Sequence, residues 1–392
     1  MADKKVSYQS LDTPAVLISM DRLEANIKDM SERAKSAGVK LRPHVKVHEC
    51  AEIARMQIAA GACGIDTGSL GQAEAMAAAG IKDILISHPT YYAGVRLEKF
   101  KKLLANQDLK LSVNLDMVEQ ADGVSLAGKA VGRKIPVAIK VDTNAPLGGY
   151  GRLGVAPGKA LVDMAQRISK LPYVELKGIY AHEIGSVHTP EALAKFALET
   201  GQLMAETAEM MRREGFNIES VSVGASPTFR FTCQYMKEGK LKGITEIDPG
   251  NCIIGDLGYM RSGGNTFETI AATVLTTVIS TSHPEKAATD AGYKTFGADY
   301  IVGAVKDPGY YWNGMPSFGR VAGRPDLWCG RLSAETGYIY YMDPAKTLAY
   351  GDRIEIYPNN ATLVINIHDQ IYGVRKGEVE RVFKVTSRGA GN

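Results

Sequence analysis

CGIDTGSLGQAEAMAAAGIKDILISHPT, residues 63–90, sets the beat of this chain: a short apolar run, a helical segment closed by glycine, and a second apolar run. The beat extends in both directions. LRPHVK (41–46) leads into AEIARMQIAAG, and ILISHPT (84–90) into GVRLEKFKKLLAN. Further on, LSVNLD precedes MVEQADGVSLAGKA, VAIKVD precedes GKALVDMAQRISKL, and LKGIYAHE precedes EALAKFALETGQLMAETAEMMRREG. ESVSVGAS, then TFRFTCQYMKEG, then EIDPGN complete the series. Eight strands are thus expected near 42–46, 64–67, 84–88, 111–115, 137–142, 176–183, 219–226 and 246–251. Alternating strands and helices make a parallel sheet, and eight of them predict an α/β fold of the closed (β/α)8, TIM-type barrel class. An open doubly wound sheet is the alternative, but no GxGxxG follows the first strand, so its dinucleotide-binding form has no support.

Outside this series the pattern changes. TPAVLISM (13–20) reads as a strand, and DRLEANIKDMSERAKSAG (21–38) as a helix capped by Asp21 and ended by Gly38. Past about residue 265, FETIAATVLTTVISTS, YKTFGADYIVGAV, LSAETGYIYYM, DRIEIYPN, ATLVINIHDQIYGVR and EVERVFKVTSR are β-branched, aromatic-rich runs broken by turn residues. They predict an all-β C-terminal domain over 266–392 after a barrel domain over 1–265, with residues 1–20 joining the β domain.

Composition narrows the function. A chain of 392 residues, 45% hydrophobic, has length for two domains, and a net charge of +3 without a basic run suggests neither nucleic acid nor a membrane surface as partner. A small molecule is the expected partner. MADKKVSYQS is too polar for a signal peptide and no apolar stretch is long enough to span a membrane, so a cytoplasmic location is expected. Five scattered cysteines without a CxxC read as reduced, mostly buried side chains.

Barrel chemistry gathers at the C-terminal ends of the strands. Those ends carry Lys46 with His44 and His48, Asp66 and Thr67, His88, Asn114 and Asp116. Lys140 and Asp142, Tyr180 with His182 and Glu183, and Asp248 with Asn251 continue the ring. Lys46 has two readings: a solvated strand-end amine, or an amine whose pKa is lowered for Schiff-base chemistry. VGASPTFR (223–230), after the seventh strand, has the composition of a loop that cradles phosphate on backbone N–H groups, and DPGN (248–251) can add donors. Arg152 in GRLG is either a surface charge or a donor to an oxyanion. A reactive lysine facing a phosphate loop describes a pyridoxal phosphate site, with an aldehyde for the one and a phosphate for the other.

Taken together, these residues resemble the D-threonine aldolase and D-serine dehydratase group of fold-type III pyridoxal phosphate enzymes, related to alanine racemase. RPHVKVH is similar to that family's RPHxKTHK, and VDTNAPLGGYGRLGV, GIYAHE, VGASPT and PGNCIIGD are similar to its later barrel segments. The resemblance covers nearly the whole chain. It implies a homodimer and a PLP-dependent lyase, aldolase or dehydratase, acting on a D-β-hydroxy amino acid through a Schiff base on Lys46. By position it implies that Arg152 lies near the cofactor's phenolic oxygen and Tyr180 near its ring. Gly224, Ala225, Ser226, Gly250 and Asn251 would lie near its phosphate. His44, His48, His88, His182 and His188 are candidate second bases, with His44 and His182 preferred because they share strands with Lys46 and Tyr180.

Two positions depart from the family pattern. Where metal-dependent members carry a histidine and a cysteine or aspartate, this chain has Asn360 and Thr362, poor ligands for zinc and weak ones for manganese or magnesium, so no tightly bound catalytic metal is expected. His368 and Asp369, read as neighbours on a strand, would face opposite ways and make a poor substitute pair. Asp248 stands where alanine racemase has an arginine near the pyridine nitrogen. An aspartate there favours the protonated ring and a stronger electron sink. The missing ligands leave a metal-independent racemase or epimerase as the alternative, and a non-catalytic cofactor carrier as a third class.

Overall fold

The computed structural model describes residues 6–148, 151–183, 189–298 and 309–391. It divides into two compact units. One comprises mainly Ile27–Lys46 and Ile53–Gly250; the other runs up to Asn26, then takes in Val47–Glu52 and Asn251–Gly389.

The first unit is the parallel barrel. Its strands are Lys40–Leu41, Ile65–Thr67, Asp83–Ile86, Lys110–Leu115, Ile135–Lys140, Val174–Tyr180, Ser220–Val223 and Glu246–Ile247. From Ile65–Thr67 onward each strand pairs in parallel with the next in sequence, and Glu246–Ile247 pairs with Lys40–Leu41. The first two strands meet where the Cys63 N–H donates to Leu41 O at 2.8 Å and the Asp66 N–H to Pro43 O at 2.9 Å. Alternation places each strand's apolar set against the helices outside: Ile135, Val137 and Ile139 are buried while Lys140 belongs to the opposite set. Helix starts follow local chemistry. The Ser69 hydroxyl accepts the Gln72 N–H at 3.1 Å, and Thr189 caps the helix Pro190–Arg213 from one residue before its proline.

The second unit holds a ten-stranded sheet. Its long strand Ala272–His283 pairs antiparallel with Ala15–Ser19, Lys286–Thr289 and Arg353–Pro358. Through Gly337–Tyr341, Leu327–Leu332 and Gly319–Val321 the sheet returns to Arg353–Pro358 and closes. The parallel pairing of Gln370–Arg375 with Ala15–Ser19 extends it.

Several expectations are corrected. Lys46 is not on a strand: the first strand ends at Leu41, and Lys46 lies on the single 3-10 turn Val45–Val47. Sheet pairing continues past Leu41, with the Arg42 N–H donating to Ile247 O at 2.9 Å, the His44 N–H to Pro249 O at 3.1 Å and His44 bridging Asp66 in parallel, and the chain leaves the sheet only at Val45. The sixth strand ends at Tyr180, the seventh at Val223 and the eighth at Ile247, leaving His182, Glu183, Gly224, Ser226 and Asp248 in the loops that follow. ATLVIN, read as strand, is the helix Ala361–Asn366, because Asn360 caps it by accepting the Leu363 N–H at 3.3 Å. His368 therefore follows a helix, its Nδ1 2.7 Å from Val364 O, rather than lying on a strand. YKTF forms the short helix Tyr293–Phe296, and Asp21 sits inside the first turn of the helix Met20–Ala37 rather than capping it.

Candidate active site

Around Lys46 the barrel gathers polar side chains at the C-terminal ends of its strands. The Lys46 N–H donates to His44 Nδ1 at 3.3 Å, fixing that ring beside the turn. The Lys46 side chain is exposed, yet the protein around the site partly desolvates its amine. That partial desolvation lowers its pKa; the charges of Asp66 and Asp248 oppose the drop and that of Arg152 adds to it.

Asp248, fully buried, accepts a hydrogen bond from the Tyr180 hydroxyl at Oδ2, while its Oδ1 has no partner. Burial pushes its pKa up to about 7, against the pull of the Tyr180 hydrogen bond and of Lys46 and Lys140. His182 Nδ1 lies 3.9 Å from Asp248 Oδ2, too far for a hydrogen bond, and has no partner. Burial and the cations Lys46, Lys140 and Arg152 lower the His182 pKa to about 3, Glu183 opposing them. Burial, with Lys46 next, drives His44 well below the usual histidine range. Both rings are therefore neutral at physiological pH and weak bases; His44 Nδ1 is taken by the Lys46 N–H, whereas His182 Nδ1 is unpartnered.

Asp66 stands out among the residues that the sequence reading left out of the site. It lies on the second strand, none of it exposed, and neither carboxylate oxygen has a hydrogen-bond donor; the nearby Ser87 hydroxyl points to Thr67 O at 3.4 Å. Burial, then repulsion from Asp248, raises its pKa well above the carboxylate range. Lys140, also buried, lies 5.6 Å from the centroid of the Tyr180 ring. The sequence places both in the ring of polar strand ends but assigns neither a role.

The loop after the seventh strand is organised by Glu183. Its carboxylate accepts the Gly224 N–H at 2.9 Å and the Thr228 hydroxyl at 2.6 Å. The Gly250 N–H donates to Ser226 Oγ at 3.0 Å. Gly224 and Gly250 thus contribute room rather than donors. Gly224 has φ +109°, and a Cβ there would approach Ile247 to 3.0 Å; one on Gly250 would come within 2.8 Å of His44 O.

Of the remaining expected residues, Arg152 and His88 lie close enough for their charges to act on the site. Arg152 is exposed, its N–H 3.3 Å from Asp142 Oδ2. Asn251, in the other unit, donates from Nδ2 to Asp256 Oδ2 at 2.8 Å. His48 is buried and its Nδ1 accepts the Cys50 N–H at 3.1 Å, a structural role, whereas His88 is exposed, its pKa lowered by desolvation and then by Lys140. His188 lies outside the described residues.

The unpartnered atoms of Asp66, Asp248 and His182 call for a polar partner that the protein does not supply, and a lysine of lowered pKa faces them. This donor set fits pyridoxal phosphate. The family comparison agrees: the model of the alanine racemase N-terminal domain matches residues 18–257, and that of a serine dehydratase domain matches 271–374. The chain belongs to the alanine-racemase-like family, in the D-threonine aldolase and D-serine dehydratase group. Within this group it is 32% identical over 366 residues to D-threo-3-hydroxyaspartate dehydratase of Delftia sp. (strain HT23), covering 90% of this chain and 91% of that one. It is 29% identical over 385 residues to D-threonine aldolase of Arthrobacter sp., covering 97% and 93%. The crystal structure of D-threonine aldolase from Filomicrobium marinum superposes with a TM-score of 0.84 at 28% identity, covering 98% of each chain. Alanine racemases align over only about half of this family member's length. Among the described residues no helix is long and apolar enough to cross a membrane.

Proposed function

We propose that this chain is a pyridoxal-phosphate-dependent lyase acting on a D-β-hydroxy amino acid. The observation that carries this reading is the partly desolvated Lys46 amine beside buried groups that leave both Asp66 carboxylate oxygens, Asp248 Oδ1 and His182 Nδ1 without a hydrogen-bond partner. When bound, pyridoxal phosphate supplies an aldehyde for an amine and a ring that draws electrons from bonds at the substrate α-carbon. Lys46 would hold it covalently, Ala225 and Ser226 would face its phosphate, Tyr180 and Asp248 its ring, and Arg152 its phenolic oxygen.

The chain's own groups divide the proton work. Lowering the Lys46 pKa enlarges the neutral, nucleophilic fraction of its amine, which is also the form that takes up the α-proton. Of the candidate second bases His44 and His182, His182 keeps an unpartnered Nδ1 for a second proton such as that of the β-hydroxyl, while His44 Nδ1 is engaged by the Lys46 N–H. The Tyr180 hydroxyl anchors Asp248 at Oδ2 and leaves Oδ1 available to a ring N–H.

Hydroxyl activation proceeds without a tightly held metal in this reading, because the Asn360 side-chain oxygen is committed to capping the helix Ala361–Asn366. A homodimer, cytoplasmic in location, is the state that the family resemblance supports, and sedimentation of the purified protein tests the dimer. Function is tested by supplying D- and L-serine and threonine to cofactor-loaded protein. Aldehyde or keto acid from the D isomers is expected. Loss of optical rotation without carbonyl product would establish a racemase instead, and a static cofactor spectrum a carrier. About one metal ion per subunit after purification would overturn the metal-independent reading.

A further inference from the structure

The barrel has a second cavity, at the end opposite Lys46. It occupies about 640 Å³ inside the parallel unit and opens among the N-terminal ends of the strands, where Lys40, Asp83, Lys110 and Ser220 begin or adjoin them. Barrels of this type ordinarily fill that space with layers of bulky side chains. Here the fourth to seventh strands contribute the small residues Ser112, Ala138, Gly178, Ser220 and Ser222 to the lining, alongside larger ones such as Asn114 and Tyr180. The volume falls within the ~300–1,000 Å³ usual for small-molecule pockets.

Two observations indicate a ligand. Asn114 and Ser222 are buried at the cavity's inner end, and Asn114 Oδ1 and Ser222 Oγ have no hydrogen-bond partner. The charge is also one-sided, with six basic side chains in the lining against three acidic ones. Arg42 is offset by Asp83 at 2.6 Å and Glu246 at 3.1 Å, and Lys177 by Glu219 at 2.8 Å. Lys40, Lys110, Arg133 and Lys134 have no carboxylate partner among the described residues. Fixed cations at the opening and neutral hydroxyl and amide groups within suit a molecule with an anionic head and a hydroxylated body.

We propose that this cavity, which shares Tyr180 with the Lys46 site but opens at the other end of the barrel, is a binding site for a small organic phosphate bearing hydroxyl groups. The phosphate sits among Lys110, Arg133 and Lys134, and the hydroxyls reach Ser112, Ser222 and Asn114. The probe is glycerol 3-phosphate, titrated by calorimetry into protein saturated with pyridoxal phosphate, so that the loop after the seventh strand is already occupied; inorganic phosphate is the control. Saturable binding of one glycerol 3-phosphate per subunit is expected, tighter than that of phosphate alone. The exposed double variant Lys110→Glu/Lys134→Glu should weaken it about tenfold or more by reversing two charges at the opening. Ser220→Leu, which fills the cavity from its rim, should abolish it while leaving the cofactor spectrum unchanged. Absence of saturable binding to the wild type, or binding that both variants retain at full strength, overturns the proposal. Equal affinity for inorganic phosphate overturns the assignment of the hydroxylated body.

Discussion

Replacing Asp248 with asparagine tests the electrostatics of the site directly. Asparagine keeps an oxygen to accept the Tyr180 hydroxyl but cannot ionise. In the folded protein the Asp248 pKa is raised from 3.8 to about 7, chiefly by burial. The native state therefore holds a proton that the unfolded chain has released, and the stability this proton brings is complete below pH 4 and is lost as pH rises toward 7. Each pH unit in that window costs the native state up to about 1.4 kcal/mol, or about 4 kcal/mol across it. Above pH 7 the loss is constant. Asp66 shares the same buried volume, so the substitution also relieves repulsion on that carboxyl. The assay is urea unfolding of cofactor-free wild type and Asp248→Asn between pH 4 and 8. The wild type should lose stability relative to the variant up to pH 7, and the gap should then level off. Parallel curves across the range would refute the burial argument. In cofactor-loaded protein the same variant should shift the cofactor absorbance and lower turnover; unchanged values for both would refute a role for Asp248 at the ring nitrogen.

Other substitutions probe separate parts of the site. Lys46→Ala should abolish covalent cofactor attachment, seen as loss of the protein-bound absorbance that borohydride fixes in the wild type, with turnover down by several orders of magnitude. Glu183→Gln weakens the carboxylate that holds the Gly224 N–H and the Thr228 hydroxyl, and equilibrium dialysis should show cofactor affinity falling about tenfold, roughly 1.4 kcal/mol. Gly250→Ala drives a methyl within 2.8 Å of His44 O, so the Lys46 turn must shift and the rate of cofactor attachment should drop. Asn360→Ala removes a helix cap, a loss of about 1 kcal/mol in thermal unfolding, while turnover in EDTA should match that without it.

The repeating beat of strand and helix was readable from residue 41 onward because apolar period and glycine punctuation are local properties; seven barrel strands overlap their expected ranges, and the first, Lys40–Leu41, falls just before its expected 42–46. Local pattern misassigned Lys46: the apolar alternation runs on through residue 47, while sheet pairing, held by Pro249 and Asp66, stops at His44. It misassigned ATLVIN as well, since β-branched residues outweighed the single capping side chain of Asn360. Lys46 and the small-residue loop at 223–230 were legible because the types of side chain announce their chemistry. Sequence could not show that Gly224 gives its N–H to Glu183, that Asp66 and Asp248 share one buried volume, or that small side chains on four strands leave a cavity beneath them. Sequence thus determined the order of elements and the chemical types at the strand ends. Tertiary structure alone decided which of those groups are desolvated and which lack partners, because burial and hydrogen-bond satisfaction depend on strands brought together by barrel closure.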